Sequence, residues 1–92
     1  MSWQVLYNRK KFQKKHLPTV VAATMELLIA EIEQCGPVRG NWPNYSKLPN
    51  SRHHCHIKKG KPTYVAVWEE IGKNKIKLVE IIYVGTHEKA PY

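Results

Sequence analysis

The segment SRHHCHIKKG, residues 51–60, packs three histidines, a cysteine and three cations into ten residues. Imidazoles titrate near neutral pH, so they move protons or ligate metals, whereas arginine and lysine hold phosphate. Three readings are open: a metal centre, a polyanion site with proton carriers, or an exposed strand without chemistry. The choice turns on which side chains share a face.

The segment reads as a strand, in which successive side chains alternate between faces. Cys55 and Ile57 then face the core with His53 in the same phase, while Arg52, His54, His56 and Lys58 face the other way. Neighbouring strand residues cannot converge on one ion, so HHCH is not a four-ligand set. A smaller zinc site remains, with His54 and His56 as two ligands and the distant His87 as a third. Against it, Arg52 and Lys58 would repel a dication, and no carboxylate lies nearby in sequence to orient the imidazoles. The polyanion reading uses the whole row. RNA cleavage needs a base for the ribose 2′-hydroxyl, an acid for the departing 5′-oxygen, and fixed cations for the charge gained at phosphorus. It requires no metal or other cofactor.

Charge points the same way. The chain carries 15 Lys+Arg against 7 Asp+Glu, a formal net charge of +8. Such an excess attracts polyanions through long-range field and counterion release, which makes nucleic acid the leading partner class. An acidic protein would also suit it. Ninety-two residues suffice for one domain, residues 1–92, with a single core. The two cysteines, Cys35 and Cys55, form no disulfide framework and are read as reduced, which suits a cytoplasmic protein. The start MSWQVLYNRKKF lacks a signal-peptide run, and no stretch is long enough to span a bilayer, so no membrane association is expected.

Several elements must position these side chains. WQVLY, residues 3–7, alternates as a short strand, Asn8 is a good N-cap, and RKKFQKKH reads as a basic helix pinned by Phe12. Leu17-Pro18 breaks it and starts a second helix, TVVAATMELLIAEIEQC. There Val21, Met25, Leu28, Ile32 and Cys35 form one apolar stripe, and Gly36-Pro37 ends the helix. Residues 36–50 form a Pro/Gly loop, with a short strand possible around 45–48. Trp42 and Tyr45 read as its packing anchors rather than base-stacking groups. Strands at 52–58, 63–71 and 76–86 follow, joined by turns at KKGKP and GKNK. Glu69 and Glu70, near a turn, are expected to be solvated. The expected fold class is α+β: a small antiparallel sheet backed by an N-terminal helical hairpin.

The stretch IIYVGTHEKAPY carries the pattern V-G-x-H-x-K-x-x-Y over residues 84–92. With the opening strand, the helix pair containing Leu17-Pro18, Lys47-Leu48 before the next strand, and the pair Tyr64 and Trp68, nearly the whole chain resembles the RelE/ParE superfamily. These are bacterial toxins of type II toxin-antitoxin systems. The ending is the most specific part of the likeness. The RelE-like branch implies a ribosome-dependent, metal-independent mRNA endonuclease that inhibits translation, and the ParE branch implies noncatalytic inhibition of DNA gyrase. His54, His56, His87 and Tyr92 favour the nuclease, because only that branch needs proton-transfer groups on the open face.

Carried over by position, His87 and Tyr92 match the family's acid-base or base-stacking pair, and Lys89 matches a basic position beside them. The family's Arg-x-Arg pattern is replaced here by His54 and His56, and the arginine that often follows the strand tyrosine is replaced by Val65. Lys47, Arg52 and Lys58 are the expected substitutes for phosphate binding. The expected partners are mRNA on the ribosome and a cognate antitoxin with an acidic segment.

Overall fold

The computed structural model describes residues 2–72 and 76–92. The apolar stripe of TVVAATMELLIAEIEQC forms the long helix α2 (Thr19–Cys35), which buries Val21, Met25, Leu28, Ile29 and Ile32. Cys35, expected on that stripe, is exposed. It is the last helical residue, and the chain then turns so that Gly36 and Pro37 are buried, with the Pro37 carbonyl accepting from the Trp68 indole. The turn needs Gly36, whose φ of 96° and ψ of 178° lie in a region that other residues avoid. A Cβ there would also stand 3.1 Å from the Trp3 indole nitrogen.

Ahead of α2, β1 (Gln4–Leu6) leads into α1 (Arg9–Gln13), whose N-cap Asn8 accepts a hydrogen bond from the Lys11 amide. Phe12 is buried and stacked on Tyr7 at 5.3 Å between ring centroids. The basic helix is shorter than expected. It covers five residues, and the chain reaches positive φ at His16 before Leu17-Pro18. Among the described residues α1 is little more than one turn beside the long α2, so the expected helical hairpin is not shown.

The remaining strands are β2 (Ser46–Leu48), β3 (Arg52–Lys58), β4 (Tyr64–Glu70) and β5 (Leu78–Thr86), and a 3₁₀ turn (His87–Lys89) follows. They form one five-stranded sheet in the order β1-β5-β4-β3-β2. From β2 to β5 neighbouring strands are antiparallel, but β1 pairs in parallel with β5, so the sheet is mixed rather than antiparallel. The long excursion through α1 and α2 lets the last strand insert beside the first in the same direction. The GKNK turn expected before β5 includes residues 73–75, which lie outside the described residues.

One face of the sheet meets α2 through Cys55, Ala66, Trp68, Val79, Ile81 and Val84. Val65 and Val67 are also fully buried, yet they alternate with Ala66 and Trp68 and so belong to the opposite face. Something besides the helix must cover them.

Candidate active site

The register shows which residues flank the two valines. His56 lies opposite Val65, His54 opposite Val67, Ser46 opposite His54, and Gly85 opposite Val65. Ser46, His54 and His56 therefore share the face away from α2 with the two valines. The 3₁₀ turn is tied to the start of β4 by the His87 amide, which donates to the Thr63 carbonyl at 2.8 Å. The segment after that turn returns over the face, bringing the Tyr92 ring to 4.6 Å from His54. His87 stands 5.6 Å from His56 and 6.1 Å from Tyr92, and His54 stands 6.0 Å from His56 (ring centroids). Thus β3 and a segment some thirty residues later bring all four expected catalytic side chains into one cluster.

His54 is held in place by a hydrogen bond, and His56 lies between the rings of His54 and His87. The Ser46 hydroxyl meets His54 Nδ1 at 2.8 Å, which leaves Nε2 for a substrate. Burial pushes the His54 pKa below its ordinary value; Ser46 opposes this, and positive charge on His56 or His87 adds to it. Burial also lowers His56, reinforced by charge on His87 and Lys59. Both strand imidazoles therefore favour the neutral form that accepts a proton. Burial raises the Tyr92 phenol, with smaller contributions from Tyr83 and Cys55, so it stays protonated. Among the described residues no set of three or more His, Cys, Asp or Glu side chains is arranged to hold one metal ion.

An open cleft of about 600 Å³ borders the cluster, lined by His56, Lys61, Thr63, His87 and Glu88, among others. Lys61 and Glu88 were not singled out in the sequence. Lys61 belongs to the KKGKP turn and Glu88 sits inside the THEKAPY ending, so a closer look at charges flanking the histidines would have found them.

The expected phosphate ligands fare differently. Arg52 shares the histidine face, but its Nε donates to Glu69 at 2.9 Å, so neither group is simply solvated. Lys58 leaves the row. A bulge at Ile57 makes Lys58 pair with Tyr64, a core-packed residue, and its Nζ lies near Gly60 in the following turn. Lys47 lies opposite His53, so it shares the other face of the sheet from His54 and His56. Lys89 is exposed on the 3₁₀ turn.

His53 and Glu70 form a separate network. His53 is 2% exposed and stacks on Trp68 with rings 9° from parallel. Its Nδ1 is 2.6 Å from the Tyr45 hydroxyl and its Nε2 is 2.7 Å from Glu70 Oε2. With the proton on Nε2, Tyr45 donates to the ring and the ring donates to Glu70, so both nitrogens are satisfied. Trp42 donates to Glu31 at 3.0 Å, so it and Tyr45 are anchors of the loop. Glu70 is thus a structural partner, not the solvated residue its place near a turn suggested.

No family model, curated protein or solved structure matches this chain.

Proposed function

We propose that this protein is a RelE-like toxin of a type II toxin-antitoxin system that cleaves ribosome-bound mRNA by metal-independent transphosphorylation. The observation that carries this reading is the cluster of His54, His56, His87 and Tyr92 beside an open cleft. A neutral strand imidazole, His54 or His56, takes the proton from the ribose 2′-hydroxyl, whose oxygen attacks the adjacent phosphorus. The bond from phosphorus to the 5′-oxygen breaks, and that oxygen receives a proton from His87. The products are a 2′,3′-cyclic phosphate and a free 5′-hydroxyl.

The division of labour suits the electrostatics. Burial first, and then positive charge on His87, the acid before transfer, lower the pKa of both candidate bases. Lys61 and the Arg52 N–H groups not engaged by Glu69 offset charge at phosphorus, while Lys89 borders the cavity on the other side of the 3₁₀ turn. Lys58 and Lys47 are less well placed for this. Tyr92 stacks on or orients the nucleotide. A cytoplasmic location and an antitoxin whose acidic segment orders over this face follow from the same reading.

Primer extension on mRNA positioned in purified ribosomes tests it, with and without a zinc-selective chelator that spares magnesium. The expected result is chelator-insensitive cleavage that falls about a hundredfold or more in His87→Ala. Wild-type cleavage by both His87→Ala and the His54→Ala/His56→Ala double variant would refute the assignment. Chelator-sensitive cleavage would move the three histidines onto zinc, and intact mRNA with inhibited gyrase would favour the ParE-like branch.

A further inference from the structure

A second cavity lies on the far side of the same 3₁₀ turn. It has a volume of about 350 Å³ and is lined by Lys15, Tyr64, Tyr83, Gly85, Lys89 and neighbouring residues, none of them acidic. Thr86 and Lys89 border this cavity, whereas His87 and Glu88 border the histidine cleft. One turn of backbone separates the two.

Its floor is built rather than incidental. A Cβ at Gly85 would stand 2.6 Å from the Tyr83 hydroxyl, so glycine lets that ring lie along its own strand. The hydroxyl then donates to the Thr86 carbonyl at 2.7 Å, which fixes the ring. Because β1 pairs only with Leu78, Val79 and Glu80, the later half of β5 is left open to the segment after α1. Lys15 reaches in there. Its Nζ stands 4.8 Å from the Tyr83 ring centroid and 5.4 Å from that of Phe12. A flexible cation is thereby held against the cavity floor, with Lys89 also lining the cavity.

Two cations with no lining carboxylate call for an anion, and the flat tyrosines offer surface to a ribose or base. We infer that this cavity is a subsite for the RNA nucleotide next to the one at the histidines, its phosphate anchored between Lys15 and Lys89. The inference rests on the nuclease reading and extends the strand's path across the turn toward the lysines of α1. An acidic peptide is the competing occupant, but it would make little use of the aromatic floor.

Binding of a 2′-O-methylated single-stranded RNA oligonucleotide, which cannot undergo transphosphorylation, tests the subsite across a salt series. The comparison is between the full chain, Lys15→Gln and Tyr83→Leu, with circular dichroism verifying the fold. Lys15→Gln is expected to reduce the slope of log affinity against log salt by about one. Tyr83→Leu is expected to weaken binding about tenfold. An unchanged slope in Lys15→Gln would overturn the subsite, as would a loss of affinity for a poly-glutamate peptide but not for RNA. Absence of RNA binding by the unsubstituted chain would overturn it too. Ribosomal cleavage that persisted in that case would leave the histidine site standing, whereas loss of both would remove the nuclease reading.

Discussion

His53 and His54 are neighbours in the chain with opposite fates. The outward-facing His54 has one nitrogen on Ser46 and the other available, and it packs beside Tyr92. The inward-facing His53 has both nitrogens engaged, between Tyr45 and Glu70, beneath the stacked ring of Trp68. Its role is to hold the loop before β2 onto the sheet. His53→Ala removes a packed ring and strips two polar groups of their partner, so chemical denaturation should register a loss of about 3 kcal/mol. Tyr45→Phe deletes one hydrogen bond and should cost about 1 kcal/mol. Equal, small losses in the two variants would mean that the imidazole is not the centre of this network. Alternation places His53 in the core phase, but its partners Tyr45 and Glu70 sit on other elements, and no local pattern announces them.

Among the elements, α2 and the strand register do most of the positioning. The helix was legible because its apolar residues recur with helical period, a property of consecutive residues. Its end is equally local. Gly36→Ala forces a side chain into a backbone conformation reserved for glycine and against Trp3, so it should destabilise the fold by about 1–3 kcal/mol in thermal or denaturant unfolding. A neutral effect would mean that the helix end relaxes freely. The bulge at Ile57 was not legible. Simple alternation put Lys58 beside His56, but the inserted residue reverses the phase at the end of β3 and leaves the lysine by Gly60. Likewise, the face of Lys47 depends on how β2 pairs with β3, which its own three-residue strand does not specify.

At the level of the whole molecule, the net charge of +8 and the layer of imidazoles on one face make stability depend on pH. His54 and His56 have folded pKa values below their ordinary 6.5, so between the two values the unfolded chain binds more protons than the folded one. Their contribution is present above pH 6.5 and is lost as pH falls through the lowered values. Denaturant midpoints should therefore decrease as pH falls below 6.5, and a His54→Gln/His56→Gln variant should flatten that decline. An unchanged pH profile in the variant would show that these two groups do not carry the effect. Glu26 and Glu31 act in a separate window. Hydrogen bonds, from Arg9 to Glu26 and chiefly from Asn41 and Trp42 to Glu31, lower their pKa values, so their stabilisation is lost only below the usual carboxylate value of 4.5.

The amino-acid sequence by itself determined what nearest neighbours along the chain can enforce. This includes the helical stripe from Val21 to Ile32, the Asn8 cap, the glycine stop at Gly36, and the alternation that separates His53 and Cys55 from His54 and His56. Only the tertiary structure decided which distant groups meet. Parallel insertion of β5 beside β1 makes the sheet mixed, and the returning segment lays His87 and Tyr92 against β3. Glu69 and Glu70 are drawn onto Arg52 and His53 by the pairing of β3 with β4. The physical reason is that side-chain period is set by backbone geometry residue by residue, whereas strand partner, direction and bulge are settled by burial of the whole core.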